Sequence, residues 1–294
     1  MKPIIKWVGG KTQIIDEVME RFPKEMNDYY EIFVGGGSVL LALLDKQQKN
    51  EIKIHGKIHV YDYNKTLINL YKDVQSRYEE LYEELCEYIE EYNNIKQKNG
   101  NKNPTNEERC ESKESYYYWI RKEYNNMEES VKKSAIFIFL NKTCFRGLYR
   151  MSKNGYNVPY GNYKSEKFPT KEELKNMNEL IKDVKFENKE YNESIETVMK
   201  KDKKNDFVYL DPPYVPENKT SFVSYTEMDF KSHKELFKKI KELKCKFVMS
   251  NSCVKEVEDE FEKFKIDKID VRRHINSKNP GAKTKEVLIS NLKT

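Results

Sequence analysis

Long apolar runs are missing from this chain. None approaches the ~20 residues that a membrane-spanning helix needs. The N-terminus has no apolar core of the signal-peptide kind, so an intracellular site, in cytoplasm, nucleoid or viral factory, is expected. Cysteine is sparse: Cys86, Cys110, Cys144, Cys245 and Cys253 are scattered and form no C-x-x-C pair. That argues against structural zinc and against a disulfide framework. The glycines nowhere spell G-x-G-x-x-G, which removes the nicotinamide-dinucleotide fingerprint. A dominant charge is missing too, since 54 basic and 49 acidic residues leave a formal +5. Such a balance permits a nucleic-acid partner without demanding one.

What is present is an alternation. With 294 residues the chain can form one large domain, or one domain carrying an insertion. Apolar runs bounded by breakers read as strands at Tyr30–Val34, Lys57–Asp62, Val184–Glu187, Asp206–Leu210, Lys246–Ser250, Lys265–Arg272 and Lys285–Asn291. Helical patterns separate most of them: Val39–Leu44, Pro169–Lys182, Glu193–Lys200, Asp229–Leu243 and Val254–Phe264. The last two strands have no helix between them. The pattern predicts an α/β fold with a seven-stranded, mostly parallel sheet and an antiparallel end. Between the second and third strands lies a different region. Apolar positions from Leu67 to Tyr92 step by fours and threes, as in one long helix packed along a seam. That seam suits packing on its own chain, with coiled-coil dimerisation as the rival. Asn93–Ser112 is polar and reads as a loop or mobile insertion. Tyr116-Tyr117-Tyr118-Trp119 opens a short helix whose rings suit a core or a base-stacking platform. Val131–Leu140 reads as a buried helix.

Asp211-Pro212-Pro213-Tyr214 follows the apolar run Phe207–Leu210. Two prolines cannot continue a sheet, because neither has an N–H to donate. They stiffen the turn and present a carboxylate, a carbonyl and an aromatic ring at the carboxyl end of a strand. Open α/β sheets place their ligands there. These groups suit attack by a weak planar amine. A nucleobase amine is a poor nucleophile because its lone pair is delocalised into the ring. Hydrogen bonds from that amine to Asp211 and to the Pro212 carbonyl favour a pyramidal nitrogen, while Tyr214 stacks on the base. The plainer reading is a strand–turn in which Asp211 caps a helix and Tyr214 packs.

Three earlier stretches could serve a ligand at the same place. In Lys6-Trp7-Val8-Gly9-Gly10-Lys11, paired glycines let the backbone approach a ligand closely; Trp7 could cover a ring and Lys11 reach a carboxylate. A flexible tail with one buried Trp is the rival. Phe33-Val34-Gly35-Gly36-Gly37-Ser38 reads as a strand, a glycine turn and a helix start, which is either an anion- or ligand-binding turn or simply a tight one. Tyr61-Asp62-Tyr63-Asn64 ends the second strand in an acid, where doubly wound folds hold ribose hydroxyls. Asp62 or Asn64 could equally cap the next helix. Finally, Asn141–Tyr163 mixes Arg146 and Arg150 with aromatic residues, and Asn154-Gly155 reads as a hairpin turn. A basic, aromatic hairpin can read DNA through Arg–guanine pairs and a wedging side chain; a solvated basic loop is the alternative.

Taken together and in order, KWVGGK, FVGGGS, YDYN, NKTCFRGLYR with NVPYG, DPPY, SNS and INSKNPGAKTKEVLISN resemble the DNA adenine methylase (Dam) family. Its members use S-adenosylmethionine to methylate the exocyclic amine of adenine. The resemblance spans nearly the whole chain. It implies a Rossmann-like class I methyltransferase domain over 1–65 and 180–294, with a helical and hairpin target-recognition domain over 66–179. It implies donor contacts at Trp7, Lys11, Phe33, Gly35, Gly37, Ser38, Asp62 and Asp211. Catalysis falls to Asp211, Pro212 and Tyr214. DNA contacts fall to Lys6, Phe145, Arg146, Leu148, Arg150 and Pro159, with Phe145 entering the base stack. Arg146 departs from the Asn usual after that aromatic, and the hairpin differs by about one residue in length. GATC is the favoured target. The implied partner is double-stranded DNA, with no membrane and no obligatory protein partner, and a cognate restriction endonuclease is compatible. No metal is implied. The absence of a Pro-Cys pair fits an amine methylase, since cytosine-ring methylation would need a thiolate. The rival readings are an RNA-base or protein-amide methyltransferase and a catalytically silent DNA-binding homologue.

Overall fold

The computed structural model describes residues 1–201, 203–216, 230–272 and 283–292. Seven strands form one sheet: β1 (Tyr29–Ile32), β2 (Ile58–Asp62), β3 (Val184–Asn188), β4 (Phe207–Leu210), β5 (Lys246–Ser252), β6 (Lys265–Arg272) and β7 (Lys283–Ser290). Their spatial order is β6-β7-β5-β4-β1-β2-β3. Strands β1 to β5 are mutually parallel where they pair, and β7 runs antiparallel to both β5 and β6. The sheet is therefore mixed and mostly parallel, as the alternation of elements implies. The chain winds outward from β1 through β2 to β3, then restarts at β4 on the other side. The carboxyl ends of β1 and β4 thus flank the point where the winding reverses, which is the place such sheets reserve for ligands.

By Cα packing the chain divides into two units: Lys11–Val34, Ser38–Tyr63 and Asp183–Thr294 form one, and Met1–Gly10, Gly35–Gly37 and Asn64–Lys182 the other. In the sheet unit, side chains alternate between faces with the period of two that a strand imposes. Tyr30 and Ile32 of β1 join Val208 and Leu210 of β4, and Phe247 and Met249 of β5, in one apolar layer. It is covered by Ile195 and Val198 of α7 (Tyr191–Lys201), Leu236, Phe237 and Ile240 of α8 (Phe230–Lys241) and Val257 of α9 (Lys255–Glu260). The opposite face presents Tyr29, Phe207 and Tyr209, against which Phe22 packs. Its ring centroid lies 4.6 Å from that of Phe207. Helices α1 (Ile15–Glu20) and α2 (Ser38–Gln48) complete this unit. Helix α1 carries too few apolar repeats to stand out in the sequence. The expected start of α8 at Asp229 lies outside the described residues, as does 275–282 of the C-terminal motif.

The second unit is helical. Its longest element, α3 (Lys65–Asn94), starts where the Asn64 side chain accepts the Leu67 N–H, so Asn64 rather than Asp62 is the cap. The buried stripe Leu67, Tyr71, Val74, Leu81, Leu85, Tyr88 and Tyr92 follows the seam seen in the sequence, whose remaining member, Tyr78, is only half-buried. It packs on α5 (Val131–Thr143) and α6 (Lys171–Ile181) of the same chain. The helix is not straight: Arg77 leaves helical geometry at φ −146°, ψ 38°. The cause is a side chain inserted into the ladder. Asn178 of α6 donates its amide to the carbonyls of Val74 (3.0 Å) and Gln75 (2.7 Å). The Asn93–Ser112 loop is tied to α4 (Lys113–Asn126) by Lys113 N–H to Gln97 and Asn101 N–H to Ser115 Oγ. Tyr116, Tyr117 and Tyr118 are buried in α4 and belong to the core. Among the described residues no helix is long and apolar enough to cross a membrane.

Candidate active site

Strand β4 is buried along all four residues, and the chain leaves it at Asp211. The two prolines that follow end the ladder. The Lys11 ammonium, only 4% exposed, reaches the Asp211 Oδ2 at 2.6 Å. The other carboxylate oxygen, Oδ1, is buried and accepts no hydrogen bond among the described residues. Burial pushes the Asp211 carboxyl up to about 6, against the pull of Lys11 and with a further push from Glu286. Asp211 is thus a carboxylate held by one cation on one side and left with an open acceptor on the other. A buried acceptor without a partner is costly unless a donor arrives.

The rest of the turn is pinned from behind. His233 of α8, 1% exposed, meets the Pro213 carbonyl through Nε2 at 2.8 Å. Asn251 Oδ1 accepts the Val215 N–H at 3.1 Å, and Ser252 Oγ donates to the Val215 carbonyl at 2.6 Å. The SNS motif at the end of β5 therefore clamps the residue after Asp211-Pro212-Pro213-Tyr214. These ties leave the Pro212 carbonyl without a hydrogen bond among the described residues. Tyr214 is partly buried; its hydroxyl donates to Glu286 Oε2 at 2.7 Å, and the Lys11 ammonium lies 5.0 Å from its ring centroid. Neither His233 nor Glu286 was singled out from the sequence. His233 sits at helical spacing among Leu236, Phe237 and Ile240, where it looks like one more core position.

Other expected residues gather at the same carboxyl edge. The Lys11 backbone N–H bonds the hydroxyl of Ser38, the first residue of α2, at 3.0 Å. Phe33 leaves β1 at φ +73°, a region that bulky side chains rarely occupy. Its ring stacks at 6.1 Å on Tyr191. Asp62 closes β2, with its backbone carbonyl held by the Asn188 amide at 2.9 Å. One acid here escaped notice in the sequence. Glu31 of β1 is buried and accepts the Tyr29 hydroxyl at 2.7 Å. Burial raises its carboxyl to about 8, with Asp211 and Asp62 adding to the rise, so it is largely neutral at pH 7.

Within the helical unit, Trp7 lies against the glycine turn. A Cβ on Gly35 would sit 2.9 Å from the Trp7 ring, and one on Gly37, at φ +75°, 2.8 Å from the Tyr71 hydroxyl. That hydroxyl donates to the Gly35 carbonyl at 2.7 Å. The glycines are needed for this packing as well as for any ligand. Trp7 also meets Tyr149, with ring centroids 5.3 Å apart.

The hairpin follows α5. Asn141, fully buried, binds Lys6 through both backbone groups, at 2.7 Å and 2.8 Å. This ties the N-terminal segment to the base of the hairpin, a link the sequence did not reveal. Phe145 is exposed, 43% of its surface, and Arg146 and Arg150 are exposed as well. Arg146 adopts φ +56°, a left-handed conformation that Asn enters more readily than Arg. The guanidinium of Arg150 bonds Asn157 at 2.6 Å and 3.1 Å across the hairpin. Leu148 is half-buried and Pro159 exposed; the Pro159 carbonyl takes the Phe145 N–H. The turn itself is one residue earlier than expected. Met151–Ser152 pairs with Gly155–Tyr156, so Lys153 and Asn154 form the turn and Gly155 opens the returning strand at φ +92°. A Cβ on Gly155 would collide with the Asn125 side chain. Among the described residues no cluster of His, Cys, Asp or Glu could hold a metal ion.

The sheet, its reversal point and the half-buried Asp211 at that point define an α/β protein with an acceptor-lined site at the carboxyl edge of its strands. Residues 7–275 match the family described as D12 class N6 adenine-specific DNA methyltransferase. The chain belongs to this family, which makes it an adenine-specific DNA methyltransferase. It is similar to the Type II methyltransferase M.MjaIII of Methanocaldococcus jannaschii, at 38% identity with 99% of both chains covered. It is similar as well to the Type II methyltransferase M1.LlaDCHI of Lactococcus lactis, at 30% identity over 99% of this chain and 95% of that one. The DNA adenine methylase of Haemophilus influenzae is 30% identical over 97% of this chain and 91% of its own.

Proposed function

We propose that the protein methylates the N6 amine of an adenine extruded from double-stranded DNA, within GATC, with S-adenosylmethionine as donor. The observation that carries the reading is Asp211: one oxygen fixed by Lys11, the other a buried acceptor with no partner among the described residues. The target amine is a donor of the kind that oxygen lacks. An amine inside a duplex cannot reach such a buried group, so the base must leave the stack. There Asp211 Oδ1 and the Pro212 carbonyl accept the two amine hydrogens, and the Tyr214 ring stacks on the base.

The donor fits the residues at the carboxyl edge. An acid closes β2 where ribose hydroxyls bind in folds of this topology, and Phe33 keeps a strained backbone at the end of β1. Lys11, Phe33, Ser38, Asp62 and Asp211 would hold S-adenosylmethionine, and the motif resemblance adds Trp7, Gly35 and Gly37. When bound, the donor supplies a methyl group activated by its sulfonium charge. The protein's contribution is orientation and electrostatics: Lys11 aims Asp211, Asp211 orders the amine, and the clamp on Val215 keeps both in place. Residues 1–65 and 180–294 act as the catalytic domain and 66–179 as the target-recognition domain. Lys6, Phe145, Arg146, Leu148, Arg150 and Pro159 meet DNA, with Phe145 entering the stack. A cognate restriction endonuclease is compatible with the Type II names of the relatives.

The test is Asp211→Ala. Methylation of duplex DNA falls below detection while affinity for the duplex, read by fluorescence anisotropy, stays within about threefold. Full activity in this variant would remove Asp211 from the mechanism.

A further inference from the structure

We propose that Glu286 is a positioning residue for methyl transfer: it anchors the hydroxyl of Tyr214 and so fixes the position and direction of the ring that stacks on the target base. The inference rests on the stacking role proposed for Tyr214.

The topology brings this acid to the site. Parallel strands present their carboxyl ends at the ligand edge, and an acid early in a parallel strand would lie at the far edge. Strand β7 is reversed. Its Glu286 pairs with Ser252, the last residue of β5, and so stands at the same edge as the end of β4. From there its Oε2 takes the Tyr214 hydroxyl at 2.7 Å. The other face of the arrangement is Lys11, 5.0 Å from the Tyr214 ring and 2.6 Å from Asp211 Oδ2. Glu286, Tyr214, Lys11 and Asp211 thus form one connected set. Two rotatable bonds separate the Tyr214 ring from its backbone, and the backbone clamp on Val215 does not restrain them. The hydrogen bond at the far end of the ring restrains the first, because rotation about it would carry the phenol oxygen away from Glu286. A hydrogen bond to a charged acceptor is the strong kind, and a ring held in place before the base arrives loses less freedom on stacking. Burial first, then the nearby carboxylates of Asp211 and Glu286, hold the Tyr214 phenol well above its ordinary range.

The test is a double-mutant cycle on kcat, with a duplex carrying 2-aminopurine at the target adenine as a second readout. Glu286→Ala lowers kcat about tenfold or more, the effect of losing one hydrogen bond to a charged group that acts in the transition state. The KM for the donor changes by less than about twofold. Glu286→Gln, which keeps an acceptor, recovers most of the lost kcat. Tyr214→Phe causes a comparable loss, and adding it to Glu286→Ala causes little more, because both remove the same bond. The emission of the extruded 2-aminopurine is less quenched in Glu286→Ala, as expected of a misaligned ring. Independent, multiplicative losses in the two variants would overturn the inference, as would wild-type kcat in Glu286→Ala. Should Glu286→Ala fail to fold, the cycle runs with Glu286→Gln and Tyr214→Phe: equal kcat in wild type and Tyr214→Phe then overturns it. Tyr214→Ala separates the two claims. Loss of activity there with none in Glu286→Ala defeats the anchoring role alone, whereas unchanged activity and emission in Tyr214→Ala defeat the stacking role.

Discussion

In the proposed mechanism the chemistry turns on Asp211, and its environment sets a pH dependence. Burial raises its carboxyl to about 6, with Lys11 holding it from rising further. Only the ionised form keeps both oxygens as acceptors. Above that value Asp211 accepts the amine; below it a proton occupies an acceptor site. A plot of kcat against pH therefore shows an acid limb with an apparent pKa near 6, and a limb near 4 would show that Asp211 is not the titrating group. Arg146 supplies a second expectation at this scale. Its φ of +56° is a conformation that costs L-residues about 1–2 kcal/mol and Asn less. Arg146→Asn raises stability by up to ~1 kcal/mol in denaturant unfolding, and a lower midpoint would contradict the strain. The turn proposed to be catalytic was legible as a strand end because it is local: an acid, two prolines and a ring occupy four consecutive positions after a strand. Its supports were not, because the bonds join residues far apart in sequence. Tyr214 and Glu286 are 72 residues apart, and Pro213 and His233 are 20 apart. Only the whole fold brings them together.

At the scale of elements, strands and helices were legible wherever periodicity was strong. The seven strands and most of the helices fall where the apolar patterns put them. What escaped was decided by single contacts. The sequence of α3 carries an unbroken four-three seam, and nothing in it reports the bend at Arg77. The bend belongs to Asn178, which takes over the carbonyls of Val74 and Gln75. Asn178→Ala leaves those carbonyls without their side-chain donor. Stability drops by about 1–3 kcal/mol, read in urea unfolding, while the KM for the donor is unchanged. An unaltered unfolding midpoint would mean that the bend is fixed elsewhere. The hairpin shows the same limit. Asn154-Gly155 looks like a two-residue turn, yet Gly155 pairs with Ser152 and opens the returning strand, with the Asn125 side chain close against it. Local turn chemistry named the right residues and missed the register by one.

For the whole molecule, the sequence motifs and the family agree: the chain is an adenine-specific DNA methyltransferase. The mixed sheet explains why the residues proposed to function together are scattered along the sequence. Residues 11, 38, 62, 211 and 286 share one unit because strand ends from both sides of the reversal, and one reversed strand, meet the same edge. Phe145, Arg146 and Arg150 of the other unit are exposed, as the proposed DNA contacts require. The most direct measurement of the account is to incubate the protein with unmethylated plasmid and S-adenosylmethionine and map modified bases by long-read sequencing. The account predicts N6-methyladenine confined to GATC. No modified adenine, from a folded protein that binds the donor, would contradict it.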